Sequence, residues 1–567
     1  MKILLLTHAF NSLCQRLYVE LRQREHQVSV EFDINDQVSI EAVALFQPDL
    51  IVAPFLKRAI PVELWKQHIC LVVHPGIKGD RGPSALDWAI LNRESSWGVT
   101  LLQANAEMDA GDIWASTEFP MRDATKASLY RNEVTEGAVL VLLTAIERFQ
   151  QVGFKPELLD YQSSSVRGEL RPLLRQAARA IDWQHDNSET VLRKIRSGDG
   201  FPGVVDQLFD RDCFLYDAHA NEMLTGTPGE VIARSGPAIC RATIDGSVWI
   251  GHLRDKQSEH PFKLPATRVL AAETAHLPEV EGYPEISYRE KNGVGYLHFN
   301  FYNGAMSTDQ CRRLCEAFVN ARERDTKVIV LMGDPDFWSN GLHLNLIEAA
   351  ESSADESWVN INAINDLARE IITTESHLTV SVLQGNAGAG GVFLARAADF
   401  VWARSSVILN PHYKDMGNLY GSEYWTYLLP KRVGDERAHR ITQGRLPMGS
   451  AEAAELGLVN ACFECGIDEI ISVLERKAEH LAADPALAGM LADKARQRTE
   501  DETEKPLDQY REAELTRMKR NFYGFDPSYH VARYNFVYKV PKSRTPITIA
   551  HHRDRRSASD RARKDIS

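Results

Sequence analysis

The stretch Gln384–Tyr427, QGNAGAGGVFLARAADFVWARSSVILNPHYKDMGNLYGSEYWTY, decides how the second half of the chain is read. It opens on a glycine-rich turn, passes into a small-residue helix pattern and continues into a β-like run at Asp399–Ala403. The turn ends in adjacent glycines, Gly390 and Gly391. Without a Cβ, the backbone there lets a ligand come close. An N–H at a helix start has no intrahelical acceptor and carries partial positive charge, which suits it to hold a developing oxyanion. A second such turn lies upstream in FWSNGLHL (Phe337–Leu344), again after an apolar strand, Lys327–Met332.

Two donor turns, each behind an apolar strand, resemble the enoyl-CoA hydratase/isomerase (crotonase) family. In that family two backbone N–H groups polarise an acyl-CoA thioester carbonyl, and the resemblance implies Leu342 and Gly390 as those donors. Where hydratases of the family carry their two glutamates, this chain has Phe393 and Tyr413. Phenylalanine moves no proton and tyrosine is a weak acid. The resemblance implies that the thioester-binding part is kept while the water-adding part is gone. Tyr413 with Glu423 is the nearest replacement acid/base pair; the alternative is that both are ordinary buried or rim residues. Outward from this core, Ile286–Phe299 reads as an antiparallel pair turned at Asn292-Gly293. Gln443–Val459 reads as a short helix capped at Gly457. The resemblance spans about residues 285–480.

The first half alternates strands and helices. Lys2–Thr7, Val28–Phe32 and Leu50–Val52 read as strands, and Asn11–Glu25 as a helix with Leu13, Leu17 and Leu21 on one face. Such alternation implies a parallel sheet that binds ligands at the carboxyl ends of its strands. The first turn, THAFNS, lacks G-x-G-x-x-G, which argues against a nicotinamide dinucleotide. Four motifs then follow in order: His74-Pro75-Gly76, Arg81-Gly82-Pro83, Gly98-Val99-Thr100 and Asp109-Ala110-Gly111-Asp112-Ile113. Together they resemble the folate-dependent formyltransferases. The resemblance implies His74 as proton shuttle, Asp109 as its carboxylate partner, and Phe55, Leu56 and Asp109 around the folate. A histidine near its working pKa suits protonation of the leaving N10. The family places an asparagine oxyanion donor where this chain has Val72. That substitution suggests a different acceptor, or a donor supplied from elsewhere in the chain.

Lys126–Phe149 reads as one long helix. Ala180–Val204 looks like the linker and opening helix of the small domain that formyltransferases carry, and Asp245-Gly246 signals a two-residue hairpin. The expected fold class is multidomain α/β. A parallel α/β formyltransferase-like domain takes 1–160 and a small β-barrel domain 161–275. After a linker at 276–285, a crotonase-type ββα spiral takes 286–480 and a C-terminal helical extension 481–544; the charged helical pattern at Glu475–Arg520 reads as a solvated face. An arginine-rich tail at 545–567 reads as disordered, a solvated end rather than a docking arm.

At 567 residues, 44% hydrophobic and 25% charged, the chain is a globular protein of about two to four domains. A net charge of −13 argues against general nucleic-acid binding. No apolar run is long enough to span a membrane, the opening MKILLLTHAFNS is too short for a signal peptide, and eight cysteines fit a reduced cytoplasmic state. Cys462-Phe-Glu-Cys465 has metal-type spacing but no second pair, so no metal is expected.

A formyltransferase-like half fused to a crotonase-like half resembles hydrogenase maturation proteins of the HypX/HoxX type. The resemblance implies transfer of formyl from 10-formyltetrahydrofolate to coenzyme A, and decarbonylation of formyl-CoA to carbon monoxide for a nickel–iron hydrogenase. Its implied partners are folate, coenzyme A, and a hydrogenase large-subunit precursor or other maturation proteins. Coenzyme A phosphates need cations, and Arg16, Arg131 and Arg445 are candidates. The other readings are a formyltransferase or formyltetrahydrofolate hydrolase with an acyl-CoA-binding second half, and a non-catalytic hydrogenase assembly factor.

Overall fold

The computed structural model describes residues 1–554. The chain forms two compact units, Met1–Tyr283 joined by the described residues from Lys542 onward, and Pro284–Pro541.

In the first unit a six-stranded sheet is built from β1 (Lys2–Thr7), β2 (Gln27–Phe32), β3 (Leu50–Ala53), β4 (Cys70–His74), β5 (Ser96–Gln103) and β6 (Ile113–Pro120), in the order β2-β1-β3-β4-β5-β6. The first four run parallel, and β5 pairs antiparallel with both β4 and β6. The near-continuous apolar runs of β1, β3 and β4 are those of strands covered on both faces. The long helix forms, but a π turn at Tyr130–Val134 divides it before Thr135–Gln150.

The small domain is an antiparallel sheet of β7 (Val204–Leu208), β8 (Arg211–Asn221), β9 (Val231–Ser235), β10 (Ala238–Ala242), β11 (Ser247–Asp255) and β12 (Leu264–Pro265). Its predicted hairpin is present, with one difference. Ala242 pairs with Ser247, so the turn centres on Ile244-Asp245 rather than Asp245-Gly246. The Asp245 carboxylate accepts from the N–H and hydroxyl of Ser188, 2.8 and 2.9 Å away, and so ties the turn to the neighbouring helix start.

The end of the chain corrects the disordered-tail expectation for 545–554. Val30 N–H of β2 donates to Ile549 O (2.9 Å), and Phe32 N–H to Thr545 Oγ1 (2.8 Å). Glu31, wholly buried, accepts from Thr545, His552 (2.9 Å) and Arg553 (2.6 Å). The segment therefore covers the open edge of the sheet and neutralises an inward-facing carboxylate. Residues 555–567 of the predicted tail lie outside the described residues.

The second unit holds two sheets. One runs β13 (Ile286–Lys291), β14 (Val294–Phe299), β15 (Val328–Met332), β17 (Leu378–Leu383), β19 (Phe400–Arg404), β22 (Ala461–Phe463), parallel from β14 onward. Asn292 and Gly293 turn β13 into β14 with φ of 51° and 78°, as the sequence predicts. The other sheet is small: β16 (Phe337–Ser339), β18 (Asn386–Gly388), β20 (Ile408–Asn410) and β21 (Met448–Gly449). Its first three strands are parallel and bring the two glycine turns side by side.

Candidate functional site

In the first unit the candidate site lies at strand ends. Phe55 and Leu56 follow β3, and His74 ends β4. The Phe55 ring meets His8 and Tyr130 edge-on, at 6.0 and 6.4 Å between centroids. Its carbonyl accepts from His8 N–H (2.7 Å) and Thr7 Oγ1 (3.2 Å), which fixes the loop across β1 and β3. His74 is buried in a turn fastened from β5: Trp97 Nε1 donates to Pro75 O (2.9 Å) and Thr100 Oγ1 to Gly76 O (2.8 Å).

The strong partner of His74 is not the predicted one. Nε2 lies 2.8 Å from Asp80 Oδ2, whereas Nδ1 lies 3.7 Å from Asp109 Oδ1. Asp109 stands at φ 55° in a loop pinned to the Arg-Gly turn. Gly82 N–H donates to Asp109 Oδ2 (3.2 Å), Arg81 Nε to Met108 O (3.1 Å), and Arg81 NH2 pairs with Glu107 (2.7 Å). A carboxylate can only accept, so Asp80 holds the ring proton on Nε2 and leaves the Nδ1 lone pair beside Asp109. Sequence reasoning missed Asp80, although it stands one residue before Arg81 in the motif itself. Val72, on β4, supplies no side-chain donor.

In the second unit Gly341 takes φ 75° before Leu342, and Ala389 takes φ 49° before Gly390. Gly390 opens the helix Gly390–Arg396, where its N–H has no intrahelical acceptor. A Cβ on Gly341 would lie 3.6 Å from Gly390 N, so the two turns face each other closely. A Cβ on Gly390 would overlap the carboxylate of Glu423, and a Cβ on Gly421 would overlap the Tyr413 ring. Both glycines are therefore required by packing against Glu423 and Tyr413.

Tyr413 and Glu423 are brought together. The Tyr413 hydroxyl lies 2.6 Å from Glu423 Oε2 and 2.8 Å from Ser422 O. Burial pushes the Glu423 carboxyl up to about 7, against the lowering effect of its bonds from Tyr413 and Ser422 N–H. Burial and the neighbouring Glu423 charge raise the Tyr413 phenol well above its ordinary value, so it stays a neutral donor. Phe393 stacks on Tyr413 at 5.6 Å and 15°, and Trp425 lies 6.4 Å from Phe393. Glu423 and Tyr424 both take φ 58°, a left-handed pair without glycine. Such strain persists only where the surroundings enforce it.

Two of the candidate cations, Arg16 and Arg131, belong to the first unit and Arg445 to the second. Arg16 is engaged by Glu20 (2.7 Å) and Glu136 (3.4 Å), Arg131 sits on the π turn, and Arg445 donates to Asn418 (2.6 Å). Among the described residues no group of three or more His, Cys, Asp or Glu is arranged to hold a metal, and no helix is long and apolar enough to cross a membrane.

Three family models match the chain: formyl transferase over residues 33–146, formyl transferase C-terminal domain over 173–261, and enoyl-CoA hydratase/isomerase over 289–525. The chain is 58% identical to "Hydrogenase maturation factor HoxX" of Bradyrhizobium diazoefficiens, with 98% of each chain covered. It shares 49% identity and a TM-score of 0.94 with the crystal structure of HypX from Aquifex aeolicus in complex with tetrahydrofolic acid, covering 98% of this chain and 99% of that one. A methionyl-tRNA formyltransferase of Citrifermentans bemidjiense is 27% identical over 41% of this chain and 71% of its own length.

Proposed function

From the premise that this chain belongs to the HoxX/HypX family of hydrogenase maturation factors, we propose that it makes carbon monoxide in two steps, formyl transfer from 10-formyltetrahydrofolate to coenzyme A and decarbonylation of the resulting formyl-CoA. The gas serves as the iron carbonyl ligand of a nickel–iron hydrogenase, whose large-subunit precursor is the downstream partner. The tetrahydrofolic acid in the crystal structure of the Aquifex relative supports the folate half of this reading.

In the first step His74 Nδ1 takes the thiol proton of coenzyme A. The thiolate attacks the formyl carbon, the C–N10 bond breaks, and N10 takes the proton back from His74. Asp80 and Asp109 on the two sides of the ring stabilise the imidazolium that forms in between. In the second step the N–H groups of Leu342 and Gly390 polarise the thioester oxygen. Glu423 takes the formyl proton, and the C–H electron pair becomes the carbon lone pair of carbon monoxide. The C–S pair leaves with sulfur, which receives the proton from Glu423 through the Tyr413 hydroxyl. Every atom and electron is accounted for without water, oxidant or metal.

The observation that carries this reading is the Tyr413–Glu423 pair, fully buried against Gly390 where the sequence lacks a hydratase glutamate. Formyl-CoA has no α carbon, so a hydratase glutamate would have nothing to act on. The test is incubation with 10-formyltetrahydrofolate and coenzyme A, with carbon monoxide read as a haem–carbonyl spectrum. Glu423→Gln should stop gas release and leave tetrahydrofolate formation intact. Formate as the sole one-carbon product, independent of coenzyme A, overturns the proposal.

A further inference from the structure

The base Glu423 sits in a turn that cannot hold its own shape, because two consecutive residues without glycine are left-handed. What holds it is a helix from the charged C-terminal extension. Leu507–Tyr523 buries Leu507, Glu514, Met518 and Phe522 on one face. From that face Asn521 Oδ1 accepts from Tyr420 N–H (3.1 Å) and Met518 Sδ from Gly421 N–H (3.2 Å). Glu514, with no exposed surface, takes the rest of the turn. Its Oε2 accepts from Tyr424 N–H (3.0 Å), and its Oε1 from Thr426 N–H (2.8 Å) and Thr426 Oγ1 (2.6 Å). Glu423 N–H itself goes to Asn365 Oδ1 (2.8 Å), whose amide donates to Ser422 Oγ (2.8 Å), which in turn reaches Glu514 Oε2 (3.3 Å).

We propose that Glu514 is a positioning residue of the decarbonylation site: it clamps the Ser422–Thr426 turn so that the Glu423 carboxylate is held against Gly390. The inference rests on the decarbonylase reading above. A structural carboxylate could have been placed anywhere on the surface. Burying this one is costly and is offset only by the four donors of the turn.

Burial, with the Glu423 charge adding to it, pushes Glu514 up to about 8, above the value of about 7 for Glu423, so Glu514 acts on the base by position and not by charge. The other ionisable groups facing the pair, Tyr413, Tyr424 and Cys311, are all pushed up by burial and stay neutral. The cations acting on Tyr424 are already paired, Arg511 with Asp366 (2.7 Å) and Arg369 with Asp508 (2.6 Å).

The test uses the full chain with synthetic formyl-CoA. In Glu514→Gln one oxygen becomes an NH2 that faces donors and can accept from none. The kcat for carbon monoxide release should fall about 100-fold with KM little changed, the scale expected when a catalytic group is misplaced by about an ångström. The acid limb of the pH profile should stay near 7, because Glu514 is still protonated when Glu423 titrates. Glu514→Asp keeps the carboxyl and withdraws it from the donors, so kcat should fall there too. A second readout needs no turnover: the infrared C=O stretch of protonated Glu423, identified by its absence in Glu423→Gln, should change frequency in Glu514→Gln as the carboxyl leaves its bonds from Tyr413 and Ser422 N–H. A Glu514→Gln protein with wild-type kcat and an unmoved infrared band refutes the proposal. So does one that loses only its folded fraction while the band stays in place. Absence of carbon monoxide from the wild-type protein refutes the decarbonylase reading instead, and the infrared band still decides the role of Glu514.

Discussion

Replacing Asp80 with asparagine should disable formyl transfer while leaving the fold intact. Asp80 Oδ2 and His74 Nε2 are 2.8 Å apart, with side-chain exposures of 1% and 4%. In the wild type the carboxylate fixes the proton on Nε2. In Asp80→Asn the amide NH2 can turn to Nε2, which sends the ring proton to Nδ1, on the side of Asp109 at 3.7 Å. The base is then lost from the nitrogen that faces Asp109. The charge effect points the same way. Removing one unit charge at roughly 4 Å from an imidazolium costs about 4 kcal/mol at an effective dielectric of about 20. At about 1.4 kcal/mol per tenfold, that is about 10³-fold in rate. The tautomer effect alone reaches about 10⁴-fold where a buried aspartate orients a catalytic histidine. The assay is tetrahydrofolate formation from 10-formyltetrahydrofolate in the presence of coenzyme A, with thermal unfolding as the check on folding. Asp109→Asn, at the longer distance and in a partly exposed loop, should cost less. If Asp80→Asn transfers formyl within about threefold of the wild-type rate, the reasoning that Nδ1 is the base fails.

Four further outcomes follow from the same geometry. Gly390→Ala places a methyl on the Glu423 carboxylate, so carbon monoxide release should fall about 100-fold while tetrahydrofolate formation is unchanged; equal loss of both activities would contradict the assignment. Because burial holds Glu423 at about 7 and the base must be ionised, the rate of gas release should rise with pH through that value, and a flat profile from pH 5 to 9 would remove Glu423 as base. Phe393→Gln brings a polar group beside Tyr413 and should raise the ratio of formate to carbon monoxide as water enters; an unchanged ratio would show that Phe393 does not exclude water. In the first unit, burial raises the Glu31 carboxyl but the His552, Thr545 and Arg553 donors outweigh it and leave it below its ordinary value of 4.5. The stability it contributes is present above that value and lost as pH falls through the lower folded value, so Glu31→Gln should lower the thermal midpoint at pH 7 by an amount that vanishes in acid; equal loss at both pH values would rule out the ion network as the cause.

The parts legible in the sequence are those written in backbone chemistry. Asn292-Gly293 marks a tight turn because both residues tolerate positive φ, and it forms as expected. Gly390 marks a close approach because any Cβ there would strike Glu423. The His74 motif is readable because its residues are neighbours in the chain. The parts not legible depend on which carboxylate meets which donor across long separations. Asp109 was the reasonable partner for His74, yet the nearer Asp80 holds the ring. Glu514 lies in a helix of interleaved charges that reads as solvated, and only its place on the stripe of Leu507, Met518 and Phe522 hints that it points inward. The residues at 545–554 look like a loose basic end, and their partners lie along β2, among them the buried carboxylate of Glu31. A pattern of polarity reports average exposure; it does not report that a buried charge has found its counter-charge some five hundred positions away.

The proposed second reaction also explains why a hydratase scaffold could be sealed. Hydration consumes water, so its acid and base must remain open to a solvent molecule. Decarbonylation of formyl-CoA consumes nothing: the proton that leaves carbon is the one sulfur needs. A single group that takes and returns it suffices, provided its affinity is intermediate between those tasks, and the burial that lifts Glu423 to about 7 supplies that. The same burial would be a liability in a hydratase, where it would hinder the water. In the proposed reaction it would protect the intermediate, since any water reaching a formyl thioester makes formate instead of gas. The stacked Phe393 and the neutral Tyr413 are thus two consequences of one requirement. The cost is a strained turn at Glu423 and Tyr424, and the buried carboxylate of Glu514 is where the fold meets that cost.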